Sequence, residues 1–261
     1  MNGEVELWWN ETGEGRPVVL VPGRGDNADQ YPERFVGPVE RAGSRVIRYD
    51  PRDTGLSAPG GDAYGIPDLA IDVLAVLGAA GAPAAHFVGF SMGGLVLSDL
   101  IARAPEKLLS LTFLSAASLD PAAGIGPDFF DMVGDDPAAT FVAAMHSPSG
   151  HEAAWMVEEI ARSERRAPRR PEAGARHQDA ALRAPWPPLE SIAHARVPTL
   201  VVHGGADRKL PLAHGQAYAN TIRDSSLVVI DDMGHVPRPA QWDEVAVHVV
   251  AHLERADGIT V

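Results

Sequence analysis

Three side chains in this sequence have the types and the order needed for covalent hydrolytic chemistry. Ser91 lies in Gly89-Phe90-Ser91-Met92-Gly93, a Gly-x-Ser-x-Gly pattern set between a short apolar run and a helical pattern of apolar residues. A serine hydroxyl is a weak nucleophile at neutral pH, so it requires a base that a carboxylate orients. Asp207 and His235 follow Ser91 in the chain. We therefore take Ser91, Asp207 and His235 as candidate nucleophile, orienting acid and base.

The glycines of this motif have a physical role at the corner between strand and helix. A strand that turns directly into a helix holds its corner residue in a strained backbone conformation. Side chains two positions before and after that residue would collide, so we expect Gly89 and Gly93 to keep the corner open. Ser91 then lies at the N-terminus of the helix, where backbone N–H groups stabilise developing negative charge.

Asp207 and His235 each follow, within a few residues, an apolar run that is typical of a buried strand. Loops at the carboxyl ends of parallel strands meet at one edge of a sheet, so we expect both side chains to approach Ser91 there. Asp231 and Asp232 are closer to His235 in the sequence. We rank them below Asp207, because a carboxylate on the same short loop would more naturally cap or solvate the turn.

Acyl transfer also requires backbone N–H groups aimed at the carbonyl oxygen as it gains negative charge. We expect one of them to be the amide of Met92, the residue after the candidate nucleophile. The second is expected to be the amide of Arg24, in the glycine turn at residues 22–27. The Arg24 side chain would either point to solvent, as arginines commonly do, or reach the mouth of the site and meet an acidic substrate.

Strands and helices alternate through most of the chain, which predicts right-handed crossovers and a mostly parallel central sheet flanked by helices, an α/β fold. Strand patterns occupy residues 5–9, 17–21, 45–49, 84–88, 109–114, 197–203 and 226–230. Helical patterns occupy residues 32–42, 67–81, the stretch from the Ser91 motif to Ala104, 211–222 and 240–255.

Residues 116–191 interrupt this alternation. They show no strong strand, only helical fragments near 129–132 and 155–160, and a basic run between Arg162 and Arg170. A solvated surface accounts for that run better than a pocket for an acidic substrate or a partner patch does. A segment of this length is expected to be a separate helical module rather than a loop. The predicted organisation is a core of residues 1–115 and 192–261 with the module at 116–191 inserted into it.

Composition narrows the function classes further. The net charge is -13, with 22 Lys and Arg against 35 Asp and Glu, which argues against nucleic acid or an anionic membrane as a partner. The absence of cysteine excludes thiol catalysis, disulfides and thiolate metal sites. No signal-peptide pattern and no long apolar run are present, so we expect a cytoplasmic protein, monomeric or homodimeric. His146 and His151 lack the helical spacing of a zinc site, and no metal or other cofactor is expected.

The motifs described above resemble the α/β-hydrolase fold superfamily over essentially the whole chain. Residues 48–55 in particular look like the corresponding stretch of aclacinomycin methylesterase-like serine esterases. The resemblance implies hydrolysis of a carboxylic ester, such as a methyl ester, without a cofactor and beneath a helical cap inserted after the sixth strand. It also carries over Ser91, Asp207 and His235 as the catalytic triad. The family's usual His-Gly is replaced here by Pro22-Gly23, which leaves the backbone donors in place. The matching segments are residues 22–24, 50–57, 89–94, 205–207 and 233–235.

The inserted module also holds the candidate substrate contacts. Its large apolar side chains could line a pocket for a hydrophobic ester, or they could form the module's own core. These residues are Phe129, Met132, Met145, Trp155, Met156 and Trp186.

Several other functions stay open on the sequence. Gly23-x-Gly25-x-x-Ala28, with Asp50 at the end of the next strand, has features of a dinucleotide site, but the residues after the glycines are polar and stopped by Pro32. A lactonase, a thioesterase, a carbon–carbon bond hydrolase or a cofactor-free haloperoxidase (perhydrolase) would use the same triad. A non-catalytic protein of this fold would use the pocket as a ligand receptor.

Overall fold

The computed structural model describes residues 5–61, 63–118, 120, 123, 172–184 and 189–258. The strands of this part of the chain are β1 (Trp9–Thr12), β2 (Arg16–Val21), β3 (Ser44–Tyr49), β4 (Ala85–Phe90), β5 (Leu108–Leu114), β6 (Thr199–Gly204) and β7 (Ser225–Ile230). The α-helices are α1 (Glu33–Arg41), α2 (Ile66–Ala79), α3 (Met92–Arg103), α4 (Glu172–Arg183), α5 (Ala213–Thr221) and α6 (Pro239–Ala256). In the described ranges, short 3₁₀ helices cover Ala28–Gln30, Pro105–Lys107 and Leu189–Ile192.

The strands form one sheet in the order β1-β3-β2-β4-β5-β6-β7, with β1 antiparallel to β3 and every other pair parallel. This is the mostly parallel α/β sheet that the alternating pattern predicts. The register places Val21, Gly89 and Phe113 side by side at neighbouring strand ends. The loops that carry the candidate site residues therefore leave the same edge of the sheet.

Both faces of the sheet are covered, which explains why its central strands are continuously apolar. Val18 and Leu20 pack on one face with residues of α1 and α6. Val19 and Val21 point to the other face, where α2, α3 and α5 pack. The alternation of side chains along β2 thus supplies two cores, and β4 beside it is buried along its whole length.

The predicted strand at residues 5–9 is wrong in its position, because β1 begins only at Trp9. The segment before it hydrogen-bonds to the loop after β3. The Trp8 carbonyl accepts from the Asp50 amide at 3.0 Å, and the Glu6 carbonyl accepts from the Ala58 amide at 2.9 Å. The Trp8 amide donates to Ser57 Oγ at 2.8 Å. The apolar residues before Trp9 therefore lie along a loop and do not form a strand.

Five strands of the described chain precede the segment at residues 116–191, where the resemblance implies six. Within that segment the structure describes α4, which the sequence does not predict. Of its described buried residues, Gly174, Gln178, Ala181 and Leu182, a single one has a large apolar side chain, too few for a helical apolar pattern. The helical fragments at 129–132 and 155–160 and the basic run Arg162–Arg170 lie outside the described residues. So do the candidate pocket residues Phe129, Met132, Met145, Trp155, Met156 and Trp186.

Candidate active site

Ser91 is the single residue between β4, which ends at Phe90, and α3, which begins at Met92. Its backbone has φ 52° and ψ -115°, a conformation that L-residues rarely adopt. The carboxyl end of β5 holds it in place, since the Ser91 amide donates to the Leu114 carbonyl at 3.1 Å. The Ser91 carbonyl in turn accepts from the Ala117 amide at 3.1 Å. The strained strand-to-helix corner that the motif predicts is therefore present at this serine.

The two glycines of the motif are required by close backbone approach. A Cβ added to Gly89 would lie 2.7 Å from the Gly93 carbonyl oxygen. A Cβ added to Gly93 would lie 2.5 Å from the carbonyl oxygen of Val21 and 3.1 Å from that of Pro22. The first contact is the collision across the corner that the sequence predicts. The second shows that α3 also packs directly on the end of β2.

We expect Gly93→Ala to lower the free energy of unfolding by about 2 kcal/mol or more, because the strand carbonyl of Val21 cannot move away from the new methyl group. Urea unfolding followed by circular dichroism measures this change. Gly78→Ala is the matched control, since a Cβ at Gly78 meets nothing within 4 Å on the exposed side of α2. The free energy of unfolding of that variant should rise by about 0.5–1 kcal/mol. Equal effects of the two substitutions would contradict the packing described here.

The side chains of Ser91, His235 and Asp207 form a continuous hydrogen-bonded chain. His235 Nε2 lies 3.1 Å from Ser91 Oγ, and His235 Nδ1 lies 2.8 Å from Asp207 Oδ2. The three residues are 3%, 0% and 6% exposed. The structure thus brings together the three residues that the sequence singles out, in the relative positions of a nucleophile, a base and an orienting carboxylate.

Asp207 lies in the loop after β6 and is fixed by its other carboxylate oxygen. Asp207 Oδ1 accepts hydrogen bonds from the amides of Lys209 and Leu210 at 2.9 and 2.8 Å. The loop is also joined to the one that carries His235, because the Ala206 amide donates to the Met233 carbonyl at 3.0 Å. The orientation of the Asp207 carboxylate toward His235 is therefore set by backbone on both loops.

The two rival carboxylates are placed elsewhere. Asp232 is exposed, forms an ion pair with Arg238, and accepts from Gln241 Nε2 at 2.9 Å. Asp231 is exposed as well. The carboxylate that contacts His235 is the one from the preceding strand loop, as the strand-end reasoning predicts.

Burial and the carboxylate act in opposite directions on the imidazole of His235. Burial lowers its pKa and outweighs Asp207, which raises it, so the net pKa lies below the ordinary histidine value. Burial alone would raise the pKa of Asp207, but the neighbouring His235, His203 and the Leu210 amide favour the carboxylate, and its pKa is lowered overall. The site at neutral pH therefore pairs a neutral imidazole with a charged carboxylate, which is the state a general base requires.

The turn after β2 lies against the candidate nucleophile, since a Cβ on Gly23 would be 3.2 Å from Ser91 Cβ. The amides on either side of Arg24 are occupied: the Gly23 amide donates to Gln30 Oε1 at 2.7 Å and the Gly25 amide to Gln178 Oε1 at 2.6 Å. Within the described residues the amide of Arg24 itself donates to no acceptor. The first amide of α3, that of Met92, has no acceptor within its helix.

The Arg24 side chain does not simply point to solvent, the first of the two courses expected from the sequence. Its guanidinium forms an ion pair with Asp179 of α4. The expectation of a solvent-directed arginine is wrong because α4, which the sequence does not reveal, supplies a carboxylate beside the turn. Gln30 and Gln178 also accept hydrogen bonds from this turn, which sequence reasoning missed. For Gln30 a signal existed, because an amide side chain a few residues after a glycine turn can accept from the backbone N–H groups of that turn.

Asp50 does not have the role of a ribose-binding acid. Its carboxylate is fully buried and accepts from the amides of Ala28 and Leu56 at 2.9 and 2.8 Å. The glycine turn leads into the three-residue 3₁₀ helix Ala28–Gln30, not into a long helix. A dinucleotide would require a free acid and a helix N-terminus at these positions, so the arrangement does not fit that ligand.

Among the residues that the structure describes, no group of three His, Asp or Glu side chains could hold a metal ion. None of the described helices is long and apolar enough to cross a membrane.

Sequence comparison assigns the family. A family model for the alpha/beta hydrolase fold matches residues 16–237, which includes all three residues of the hydrogen-bonded chain. The protein belongs to the α/β-hydrolase fold family, in agreement with the sheet topology and the Ser91 corner.

Individual proteins similar to this chain include a methylesterase. Rhodomycin D methylesterase DnrP of Streptomyces peucetius is 31% identical over an alignment of 291 positions, which covers 98% of this chain and 97% of the relative. A thermophilic esterase from Thermogutta terrifontis has a similar structure, with a TM-score of 0.79, 24% identity and coverage of 97% and 95% of the two chains. The N-acyl homoserine lactone degrading enzyme Est816 has a TM-score of 0.74, 25% identity and coverage of 95% and 98%.

Proposed function

We propose that this protein is a serine hydrolase that cleaves a carboxylic ester, such as a methyl ester, through an acyl-enzyme intermediate. Ser91 is the nucleophile, His235 the general base and acid, and Asp207 the group that orients His235. The amides of Met92 and Arg24 stabilise the oxyanion. The observation that carries this proposal is the hydrogen-bonded chain from Ser91 Oγ through His235 to Asp207 at a strained corner.

Each step of the reaction is derived from the position of these groups. Ser91 Oγ attacks the ester carbonyl carbon as its proton passes to His235 Nε2, and the carbonyl oxygen gains negative charge beside the two amides. His235 then returns the proton to the departing alcohol oxygen, and the acyl group stays on Ser91. Water then attacks the acyl carbon as its proton passes to His235 Nε2. His235 returns that proton to Ser91 Oγ as the bond between Oγ and the acyl carbon breaks, which releases the acid and regenerates Ser91.

The methylesterase relative supports ester bonds as the substrate class, because its similarity extends over nearly the full length of both chains. Residues 116–191 are proposed to form a module over the site, between core segments 1–115 and 192–261. The contact of α4 with the turn at Arg24 supports this placement. The large apolar residues of that module, from Phe129 to Trp186, are proposed to contact a hydrophobic acyl group.

Lactone hydrolysis is the second candidate function. A lactone is an ester whose acyl and alcohol parts are joined, so the same attack by Ser91 would open it. The observation that favours this alternative is the similarity to the lactone-degrading enzyme Est816, at 25% identity over 95% of this chain. No change in the proposed roles of Ser91, His235 and Asp207 would be needed.

A matched substrate panel tests the proposal and separates the candidates. Methyl esters, lactones and acyl thioesters with the same acyl chains are to be compared by kcat/KM, with Ser91→Ala as the blank for each. We expect the methyl esters to be the best substrates and the rates to rise with the size of the apolar acyl group. A higher kcat/KM for lactones would assign the second function, and rates equal to the Ser91→Ala blank for every class would contradict hydrolysis altogether.

The pH dependence follows from the state of His235. A general base must be neutral, so kcat/KM falls as the pH drops through the pKa of His235. Because burial lowers that pKa below the ordinary value of 6.5, the acid limb of the profile should have its midpoint below pH 6.5. Hydrolysis of p-nitrophenyl acetate between pH 4.5 and 8 measures it. A midpoint above pH 7 would mean that the charged imidazole is favoured instead, contrary to this account.

A further inference from the structure

Helix α4, in the segment at residues 116–191, directly contacts the turn after β2. Gln178 on α4 is fully buried, and its Oε1 accepts a hydrogen bond from the Gly25 amide at 2.6 Å. Its Nε2 lies 3.4 Å from the carbonyl oxygen of Arg52, to which it donates. One carboxamide therefore joins the turn after β2 to the loop after β3.

Neighbouring residues hold α4 at this place. A Cβ added to Gly174 would overlap Asp53, so the helix lies directly on the loop after β3. His177 Nδ1 lies 3.4 Å from Asp53 Oδ2, and the His177 ring packs edge-on against Tyr64 with centroids 5.6 Å apart. Gly174, His177 and Gln178 share one face of α4, since residues three and four apart are neighbours on a helix. Helix α4, which carries the Gln178 carboxamide, is thus held in place by contacts of its own.

The peptide group that Gln178 binds, between Arg24 and Gly25, is adjacent to the peptide group whose N–H is the proposed oxyanion donor. The Arg24 amide lies between the Gly23 amide, which Gln30 fixes, and the Gly25 amide, which Gln178 fixes. Gly25 has φ +77°, a conformation that glycine adopts freely, so the peptide there has alternative orientations unless a partner selects one. An oxyanion donor is effective only when it is aimed before the reaction begins, because reorientation during the reaction costs free energy.

We propose that Gln178 is a positioning residue for ester hydrolysis: it orients the turn at Arg24, so that the inserted segment completes the oxyanion site of the core. This inference rests on the proposed function. Gln178 contacts no reacting atom and acts through the backbone of Arg24 and Gly25. The segment would then contribute to the rate of the chemical step as well as to the choice of substrate.

Two substitutions at this position separate the hydrogen bond from the volume of the side chain. Gln178→Met keeps the length but removes the acceptor, and we expect kcat for p-nitrophenyl acetate to fall about 10-fold with KM within about twofold, less than the 100-fold or more expected on loss of an oxyanion donor itself. Gln178→Glu, in its protonated form, retains an acceptor for Gly25 and a donor for Arg52, so toward pH 5 its kcat should approach that of wild type measured at the same pH. Gln216→Met makes the same change on the exposed face of α5 and should leave kcat unchanged.

Inhibition by a trifluoromethyl ketone gives a constant, Ki, that would not change if Gln178 had a purely structural role. The ketone forms a tetrahedral adduct whose oxyanion uses the same amides, so its Ki should rise in Gln178→Met by the same factor as kcat/KM falls. The Ki of the product acid, acetate, should stay constant. Thermal unfolding of each variant identifies any general loss of fold.

The outcomes distinguish this inference from the proposed function. If wild-type hydrolysis is not abolished by Ser91→Ala in the same assay, the proposed function fails. If wild type is active through Ser91 and Gln178→Met retains wild-type kcat and ketone affinity, only the role of Gln178 is overturned. Should Gln178→Met not fold, Gln178→Glu decides: a folded variant whose kcat at pH 5 stays well below that of wild type at pH 5 contradicts the hydrogen-bond role.

Discussion

Ser91→Ala is expected to lower kcat for p-nitrophenyl acetate by about 10⁵-fold, because no acyl-enzyme can form without the serine oxygen. The loss should appear in kcat rather than in KM, since the methyl group of alanine removes no contact with the acyl chain. The fold should persist. The hydroxyl of Ser91 is joined to His235, and the backbone hydrogen bonds that shape the corner do not involve it.

Ser115→Ala provides the matched control for this substitution. Ser115 is also fully buried, also has a positive φ, of 42°, and follows the neighbouring strand β5. Its hydroxyl has no hydrogen-bond partner in the part of the chain that the structure describes. We expect it to retain wild-type kcat. Comparable losses in the two variants, or retained activity in Ser91→Ala, would contradict the assignment of Ser91 as nucleophile.

Asp207→Asn is expected to lower kcat by about 10⁴-fold, the scale seen when a triad carboxylate becomes an amide. The reason lies in how the side chain is held. Oδ1 accepts from the amides of Lys209 and Leu210, so the carbonyl oxygen of an asparagine would occupy that position. Its NH₂ group would then face His235 Nδ1, which must accept, and the Nε2 proton would point at Ser91. The imidazole would be in the wrong tautomer to act as a base.

Asp232→Asn tests the same change on the loop of His235. Because Asp232 is exposed and paired with Arg238, we expect kcat within about twofold of wild type, as is usual for surface ion pairs. Stopped assays over several hours give the dynamic range that the Asp207 variant requires. A larger loss of kcat in Asp232→Asn than in Asp207→Asn would show that Asp207 is not the orienting acid.

The fold and the three central residues could be predicted because their signals are local and mutually consistent. Strand β4, the Gly-x-Ser-x-Gly corner and α3 are adjacent in the sequence, and the steric requirement at Gly93 is visible in the pattern itself. Asp207 and His235 were predicted from a general property of parallel sheets, whose carboxyl strand ends share an edge. The observed distances of 2.8 and 3.1 Å join residues 28 and 144 positions apart.

Long-range polar contacts were beyond prediction for a physical reason. Gln178 and Asp179 are a polar pair in a helix with a weak apolar stripe, and nothing in their local pattern indicates which turn they contact. The pairing of Arg24 with Asp179 spans 155 positions. Residues 5–8 show the opposite error, since apolar residues suggested a strand where loop hydrogen bonds are made instead. Hydrophobic periodicity indicates which residues are buried, but it does not indicate which residues they contact.

The proposed mechanism requires Ser91 to form a covalent bond to the substrate's acyl group. A fluorophosphonate reacts with an activated serine as the ester would, but its adduct does not turn over. Incubation of the protein with this probe, followed by digestion and mass spectrometry, locates the modified residue. We predict one adduct per chain, on the peptide that contains Ser91, lost in Ser91→Ala and slowed in Asp207→Asn. An adduct on another residue, or none in a protein that still hydrolyses esters, would contradict the account.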